Sequence, residues 1–123
     1  MVSTPVLFDT NILIDYLRGI SQARAECDEH SDRAVSIITW MEVMSGSTAA
    51  NEADARSCLL NFYTLPLTEE VAERAFILRR TRRIKLPDAI IQATAEGSGR
   101  VLITRNTRDF PSGTPGVRIP YTL

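Results

Sequence analysis

Val6-Leu7-Phe8-Asp9-Thr10-Asn11-Ile12-Leu13-Ile14-Asp15-Tyr16-Leu17 changes its periodicity at one residue, and that change sets the fold class. The first three residues are a continuous apolar run, the pattern of a short strand covered on both faces. Asp9, Thr10 and Asn11 are helix-capping types, and Ile12, Leu13, Tyr16 and Leu17 then recur at helical spacing until Gly19. A buried strand that hands over directly to an amphipathic helix is the opening of a β-α unit.

The same alternation continues along the chain. A weaker helix is expected over 21–29, then a strand over 34–39, rich in β-branched residues, and a short helix over 40–44. Residues 49–62 read as helical and 64–67 as a short strand or extended link. Thr68 with Glu69 and Glu70 starts a helix carrying Val71, Ala75 and Leu78 on its apolar stripe. Pro87 at a first helical position opens another, with Ile90, Ile91, Ala93 and Thr94 along it and Gly97 after it. Val101-Leu102-Ile103-Thr104 is a further buried strand, and Val117-Arg118-Ile119 a candidate edge strand in a Pro/Gly-punctuated tail. Short apolar strands alternating with helices predict a three-layer α/β/α sandwich around a mostly parallel sheet.

At 123 residues the chain is expected to form a single domain, residues 1–123, large enough to stand without disulfides or structural zinc. A formal net charge of −1 gives no global attraction to nucleic acid, so any such binding must use a local basic patch. Two cysteines, Cys27 and Cys58, are too few for a secreted disulfide scaffold, and one histidine, His30, argues against zinc or a histidine-based triad. No secretory core or membrane span is visible, so a soluble, cytoplasmic protein is expected.

Four acids stand where strands give way to helices: Asp9, Glu42, Asp88 and Asp109. Each has a bland reading. Asp9 caps a helix, and Thr39-Trp40-Met41-Glu42 matches a capping box. Asp88 favours a first helical turn, and Asp109 suits a turn. Those readings do not explain why all four fall on the side where strands end, the ligand-binding edge of an α/β sheet. Clustered carboxylates repel unless a proton or cation neutralises them. Oxygen donors without histidine or cysteine suit Mg²⁺, with Mn²⁺ possible, and such an ion polarises a phosphodiester and activates water. Asn11, Thr104 and Asn106 are placed to hydrogen-bond a ligating carboxylate or a water. Asp15 is read as a solvated or paired position, and Trp40 as core rather than a base-stacking platform. Arg79, Arg80, Arg82, Arg83 and Lys85 lead into Asp88, and Arg105 lies beside Asp109, so Arg79, Arg82, Arg83, Lys85 and Arg105 are candidate contacts for the phosphates of a nucleic acid. For the basic run, a solvated helix end is an equal reading.

Four motifs in order carry a resemblance. Residues 8–15, 36–42, 86–95 and 101–110 are similar to the successive motifs of PIN-domain ribonucleases, in particular VapC-type toxins of bacterial toxin–antitoxin pairs. The resemblance implies a compact α/β/α nuclease, usually a homodimer, that cleaves RNA endonucleolytically with Mg²⁺ or Mn²⁺. It implies that Asp9, Glu42, Asp88 and Asp109 surround the metal; among them, Asp9 and Asp88 are expected to hold the principal ion, with Glu42 and Asp109 completing the pocket directly or through waters. Relatives differ over whether the last acid stands at the position of Asn106 or of Asp109; Asp109 is taken here because it carries charge, with Asn106 orienting it. A cognate VapB-like antitoxin is the implied protein partner. Two rivals remain at this level: a phospho-acceptor signalling domain, and a catalytically silent RNA-binding module.

Overall fold

The computed structural model describes residues 3–123. Five strands, β1 (Val6–Phe8), β2 (Arg33–Ser36), β3 (Tyr63–Leu65), β4 (Val101–Ile103) and β5 (Val117–Arg118), form one sheet in the order β3-β2-β1-β4-β5. Every pairing is parallel. The helices are α1 (Thr10–Leu17), α2 (Ser21–Glu29), α3 (Ile37–Ser45), α4 (Glu52–Leu59), α5 (Glu69–Arg82) and α6 (Leu86–Gly97).

Alternation along the strands sorts the helices into layers. Val6 and Phe8 point to one side with Val35 and Ile103, where Ile12 and Leu13 of α1, Cys27 of α2 and Leu59 of α4 pack on them. Leu7 and Leu102 point to the other side and meet Ile91 and Ala95 of α6. α5 lies over α6 through Val71, Ala75, Ala89 and Ala93. Helix α6 is therefore sandwiched, which is why seven consecutive residues from Ala89 to Ala95 are buried. Phe8 has no exposed surface and touches the rings of both Phe62 and His30. Truncating such a residue to alanine costs about 3–5 kcal/mol.

Several boundaries move. The β-branched run over 34–39 does not stay extended: β2 stops at Ser36, and Ile37, Ile38 and Thr39 belong to α3. The Ser36 hydroxyl accepts the Ile38 N–H at 3.1 Å and caps the helix three residues earlier than Thr39 would. Its pairing strand, β3, also ends at the partner of Ser36, so no ladder continues. The Thr39–Glu42 capping box is consequently absent, which frees Glu42 from a purely local role. Helix α4 is shorter than the expected 49–62, and Pro87 is the second residue of α6 rather than the first. Trp40 is half-buried against the larger core cluster, as a core residue should be. Cys27 and Cys58 are both buried free thiols, pushed by burial up to about 12 and about 11 respectively. No helix among the described residues is long and apolar enough to cross a membrane.

Candidate active site

In this strand order the chain reverses direction of travel between β1 and β4, since β2 and β3 lie on one side of β1 and β4 and β5 on the other. A crevice opens at the carboxyl ends of strands where that reversal occurs. Asp9 follows β1 and Thr104 follows β4, so both stand at its floor. An open cavity of about 320 Å³ lies there, lined by Asp9, Thr10, Asn11, Ile14, Glu42, Asp88, Arg105 and Asn106.

The four acids are not equivalent. Asp9 is 5 % exposed and serves as the N-cap of α1, its Oδ1 accepting the Thr10 N–H at 2.7 Å. Its Oδ2 accepts the Thr104 hydroxyl at 2.8 Å and the Asn11 amide at 3.4 Å. Capping and a second function thus coexist in one carboxylate. Glu42 reaches the cavity from α3, where its Oε1 accepts the Thr10 hydroxyl at 2.7 Å, and that hydroxyl also meets the buried Thr39 hydroxyl at 2.9 Å. Asp88 enters from the first turn of α6, delivered there because Arg83 ends α5 in a left-handed conformation, φ 58°, and redirects the chain. Asp109 stands outside the cavity lining and behind Asn106. The Asn106 amide donates to Asp109 Oδ2 at 2.9 Å, and Asn106 Oδ1 accepts the Asp109 N–H at 3.2 Å.

Electrostatics bind these acids into one group. Burial pushes the Asp9 carboxyl up to about 6; bonds from Thr104 and Thr10 oppose the rise, and the charges of Asp88 and Glu42 add to it. Asp88 is raised by burial first, then by Asp109 and Glu42, with Lys85 pulling the other way. Asp109 therefore belongs to the field around Asp88, while Asn106 occupies the rim of the cavity itself. Among the described residues no group of three or more His, Cys, Asp or Glu side chains is arranged to hold a metal ion by itself. The acids are thus not a closed cage. The donor set fits an ion that takes few protein oxygens and completes its shell with water or substrate, which is the habit of Mg²⁺.

The neutral residues singled out in the sequence do gather here. Thr104 is fully buried and, besides donating to Asp9, accepts from Asn11 at 3.2 Å and from the Asn106 N–H at 3.0 Å. Asn11 Oδ1 accepts the Arg105 N–H at 3.1 Å and ties the loop after β4 to α1. The basic cluster divides. Arg79 donates to the Ile84 carbonyl at 2.7 Å, and Arg82 donates to Gln92 and to the Asp109 carbonyl. Arg105 grips Asp15 with two bonds of 2.7 and 3.0 Å. Arg83 and Lys85 are exposed. Sequence reasoning passed over two features: the bridging hydroxyl of Thr10, and a buried network in which Asp15 also accepts the Tyr121 hydroxyl at 2.8 Å. The first was visible only as a cap residue, and the second joins positions 106 residues apart, for which one sequence carries no signal.

Comparison with known proteins finds relatives of this chain in sequence and in fold. The model of the PIN domain family matches residues 6–112. The chain is 33% identical over 114 residues to "Ribonuclease VapC10" of Mycobacterium tuberculosis, covering 86% of each. Its structure resembles a solved toxin–antitoxin complex from Klebsiella pneumoniae with a TM-score of 0.89 and 45% identity, over 96% of this chain and 99% of that one. A DNA-bound VapBC from Salmonella typhimurium shares the fold with a TM-score of 0.80 at 24% identity, covering 94% and 96% of the two chains.

Proposed function

The chain belongs to the PIN-domain family, and on that premise we propose that it is a metal-dependent endoribonuclease, the toxin of a toxin–antitoxin pair. The relative named as a ribonuclease and the toxin–antitoxin complex support that reading. The observation that carries it within this chain is the meeting of Asp9, Glu42 and Asp88 on one cavity with, among the described residues, no cationic side chain bonded to any of the three.

Asp9 and Asp88 would hold the ion, Mg²⁺ or Mn²⁺, with Glu42 and Asp109 adding negative charge around it. When bound, the ion supplies the positive charge that polarises a scissile phosphate and renders a water acidic. The protein groups do the rest. Thr104, Asn11 and the Thr10 N–H fix both oxygens of Asp9. Thr10 fixes one oxygen of Glu42 and leaves Oε2 to accept the proton of the attacking water. Asn106 at the rim orients Asp109, and its side chain would face the phosphate of a bound substrate. Lys85 and Arg105 flank the cavity as contacts for the RNA backbone, with Arg83 at the preceding turn, while Arg79 and Arg82 chiefly hold the loops in place.

An antitoxin would silence the enzyme by covering this cavity. We place the pair in the cytoplasm, where RNA substrate and reducing conditions for Cys27 and Cys58 coincide. The test is sequencing of RNA ends after controlled expression of the wild type and of Asp9→Asn. New 5′ ends at defined sites with the wild type alone are expected; identical ends with both would overturn the assignment.

A further inference from the structure

The acid cavity opens at one wall into a second recess. Ile14 lines the acid cavity and also borders a cavity of about 350 Å³ between α1 and the α3–α4 pair. Ile14, Leu17, Val43 and Ala55 give this recess apolar walls, and Val43 and Ala55 are themselves buried. Leu17 stands one turn beyond Ile14 on α1, about 4.5 Å further along the helix axis. The two cavities are therefore neighbours along a single groove, close enough for one extended strand to occupy both.

The polar groups at its lip are few and suit one chemistry. Asn51, the N-cap of α4, and Asp54, in the first turn, both border the recess. Asn51 Oδ1 accepts the Thr48 N–H at 2.7 Å, which fixes the amide and leaves its Nδ2–H groups to donate outward. Asp54 and Arg18 also line the recess, both exposed, and among the described residues neither forms an ion pair. The helix dipole alone favours an acid in the first turn of α4. It does not call for an amide donor and an unpaired arginine around one apolar recess. A carboxylate acceptor beside an amide donor matches the Watson–Crick edge of guanine, whose N1–H and N2–H donors lie next to the O6 acceptor. Adenine and cytosine offer a carboxylate one donor group each, and uracil only its N3–H. We infer that this recess is a subsite for a guanine base of the RNA, close to the scissile phosphate. Asp54 accepts from N1–H and N2–H, Asn51 donates to O6, and Arg18 meets an adjoining backbone phosphate. The subsite rests on the endoribonuclease reading in one respect, that RNA lies across the acid cavity. It adds what the acids lack, a means of telling one base from another.

Two measurements test it separately from the chemistry. In the first, fluorescence polarisation follows binding of labelled oligouridylates to the Asp9→Asn chain, which keeps the RNA uncut. Replacing one uridine by guanosine should tighten binding by about tenfold or more. Inosine in the same place, lacking the N2 amino group, should lose most of that gain. Asp54→Ala in the same background should bind the three oligomers alike, while its unchanged affinity for plain oligouridylate shows that the fold is intact. In the second, RNA ends are sequenced after expression of chains that keep Asp9. Without the Asp54→Ala change, a guanine should stand at one fixed position near each cut; with it, that preference should vanish. Guanine-selective binding without any cleavage would uphold the subsite and strike the ribonuclease reading. Cleavage with no guanine at a fixed position, a preference that survives Asp54→Ala, equal binding of guanosine and inosine oligomers, or no binding of any of them would overturn the subsite. Weaker inhibition of Asp54→Ala by an antitoxin, with base preference unchanged, would assign the recess to that protein and overturn it too.

Discussion

Asp9 and Asp15 are six residues apart, one capping α1 and one inside it, and solvent reaches only 5% and 1% of them. Their acidities nevertheless move in opposite directions: Asp9 is pushed up to about 6 and Asp15 is lowered. Burial opposes ionisation at both, so what differs is the company. Asp15 lies beneath Arg105, whose guanidinium binds both of its oxygens, and Tyr121 adds a third bond. Among the described residues Asp9 is bonded by neutral donors only, and the charges that act on it, Asp88 and Glu42, are of its own sign. The fold thus contains a carboxylate whose charge is already answered and another whose charge is not. An uncompensated buried carboxylate reduces stability, and a position that tolerates one is the signature of a working site.

The largest expected effect breaks the pair apart by function. Asp9→Asn should lower cleavage of RNA by at least about 100-fold, the scale on which even the supporting residues of metal sites act. Asp15→Asn should leave the chemistry in place and act on stability. Removing Asp15's charge leaves Arg105 and Tyr121 short of partners, and breaking a fully buried pair costs about 3–5 kcal/mol. Because the Arg105 side chain is 32% exposed, about 2–3 kcal/mol is expected here, read from urea midpoints at pH 7. If Asp15→Asn proved silent in unfolding while cleavage vanished, the assignment of the two roles would be reversed.

The two carboxylates should also separate in their response to pH. A raised acid binds its proton more tightly in the folded state than in the unfolded one. Asp9 therefore leaves stability intact below its ordinary value of 3.8 and removes it as pH climbs toward about 6. The full penalty above that range is about 2–3 kcal/mol. Asp15, being lowered, contributes in the opposite sense: its stabilisation is present above the unfolded value and is lost as acid protonates it. Relative to the wild type, Asp9→Asn should gain stability between pH 4 and 7 by about 2 kcal/mol, and millimolar Mg²⁺ should stabilise only the wild type. Parallel pH profiles for the wild type and Asp9→Asn, with or without Mg²⁺, would show that Asp9 carries no unanswered charge.

This contrast was half legible in the chain. The switch from a strand pattern to a helix pattern at Asp9 is local, as are Ser36, Pro87 and Gly19, and local signals placed α1, α6 and the three-layer architecture. They also placed Asp9 at the edge of the sheet, because it directly follows β1. Glu42, inside α3, and Asp88, in the first turn of α6 after α5, follow no strand directly, and only the folded arrangement of those helices brings them to the same edge. Boundaries inside β-branched stretches were less readable, since Ile37-Ile38-Thr39 suits strand and helix alike until the Ser36 cap decides. What a charge is paired with was not readable at all. Arg105 reaches back 90 residues to Asp15, and Arg82 reaches forward 27 to the Asp109 carbonyl. Arginines that look like a nucleic-acid patch in sequence are in part the fasteners of the loops around the site. For the same reason the order of Asn106 and Asp109 from rim to interior emerges only from the folded loop.

The finest distinction lies in the neutral donors, and Thr104 isolates it. Its hydroxyl is the hub between Asp9, Asn11 and the Asn106 N–H, and the side chain is wholly buried. Thr104→Val preserves shape but removes the hydrogen bond that most opposes the upward shift of Asp9. It also leaves the Asn106 N–H and one Asn11 proton without an acceptor. Thr104→Ser keeps the hydroxyl and loses one methyl group. The valine variant should lose about 1–2 kcal/mol of stability and about tenfold in Mg²⁺ affinity, with Asp9 titrating above its wild-type position by carboxylate-resolved NMR. The serine variant should lose about 1 kcal/mol or less and titrate like the wild type. Equal behaviour of the two would mean that packing alone places Asp9, and the difference from Asp15 would then rest on Arg105 without help from the threonine.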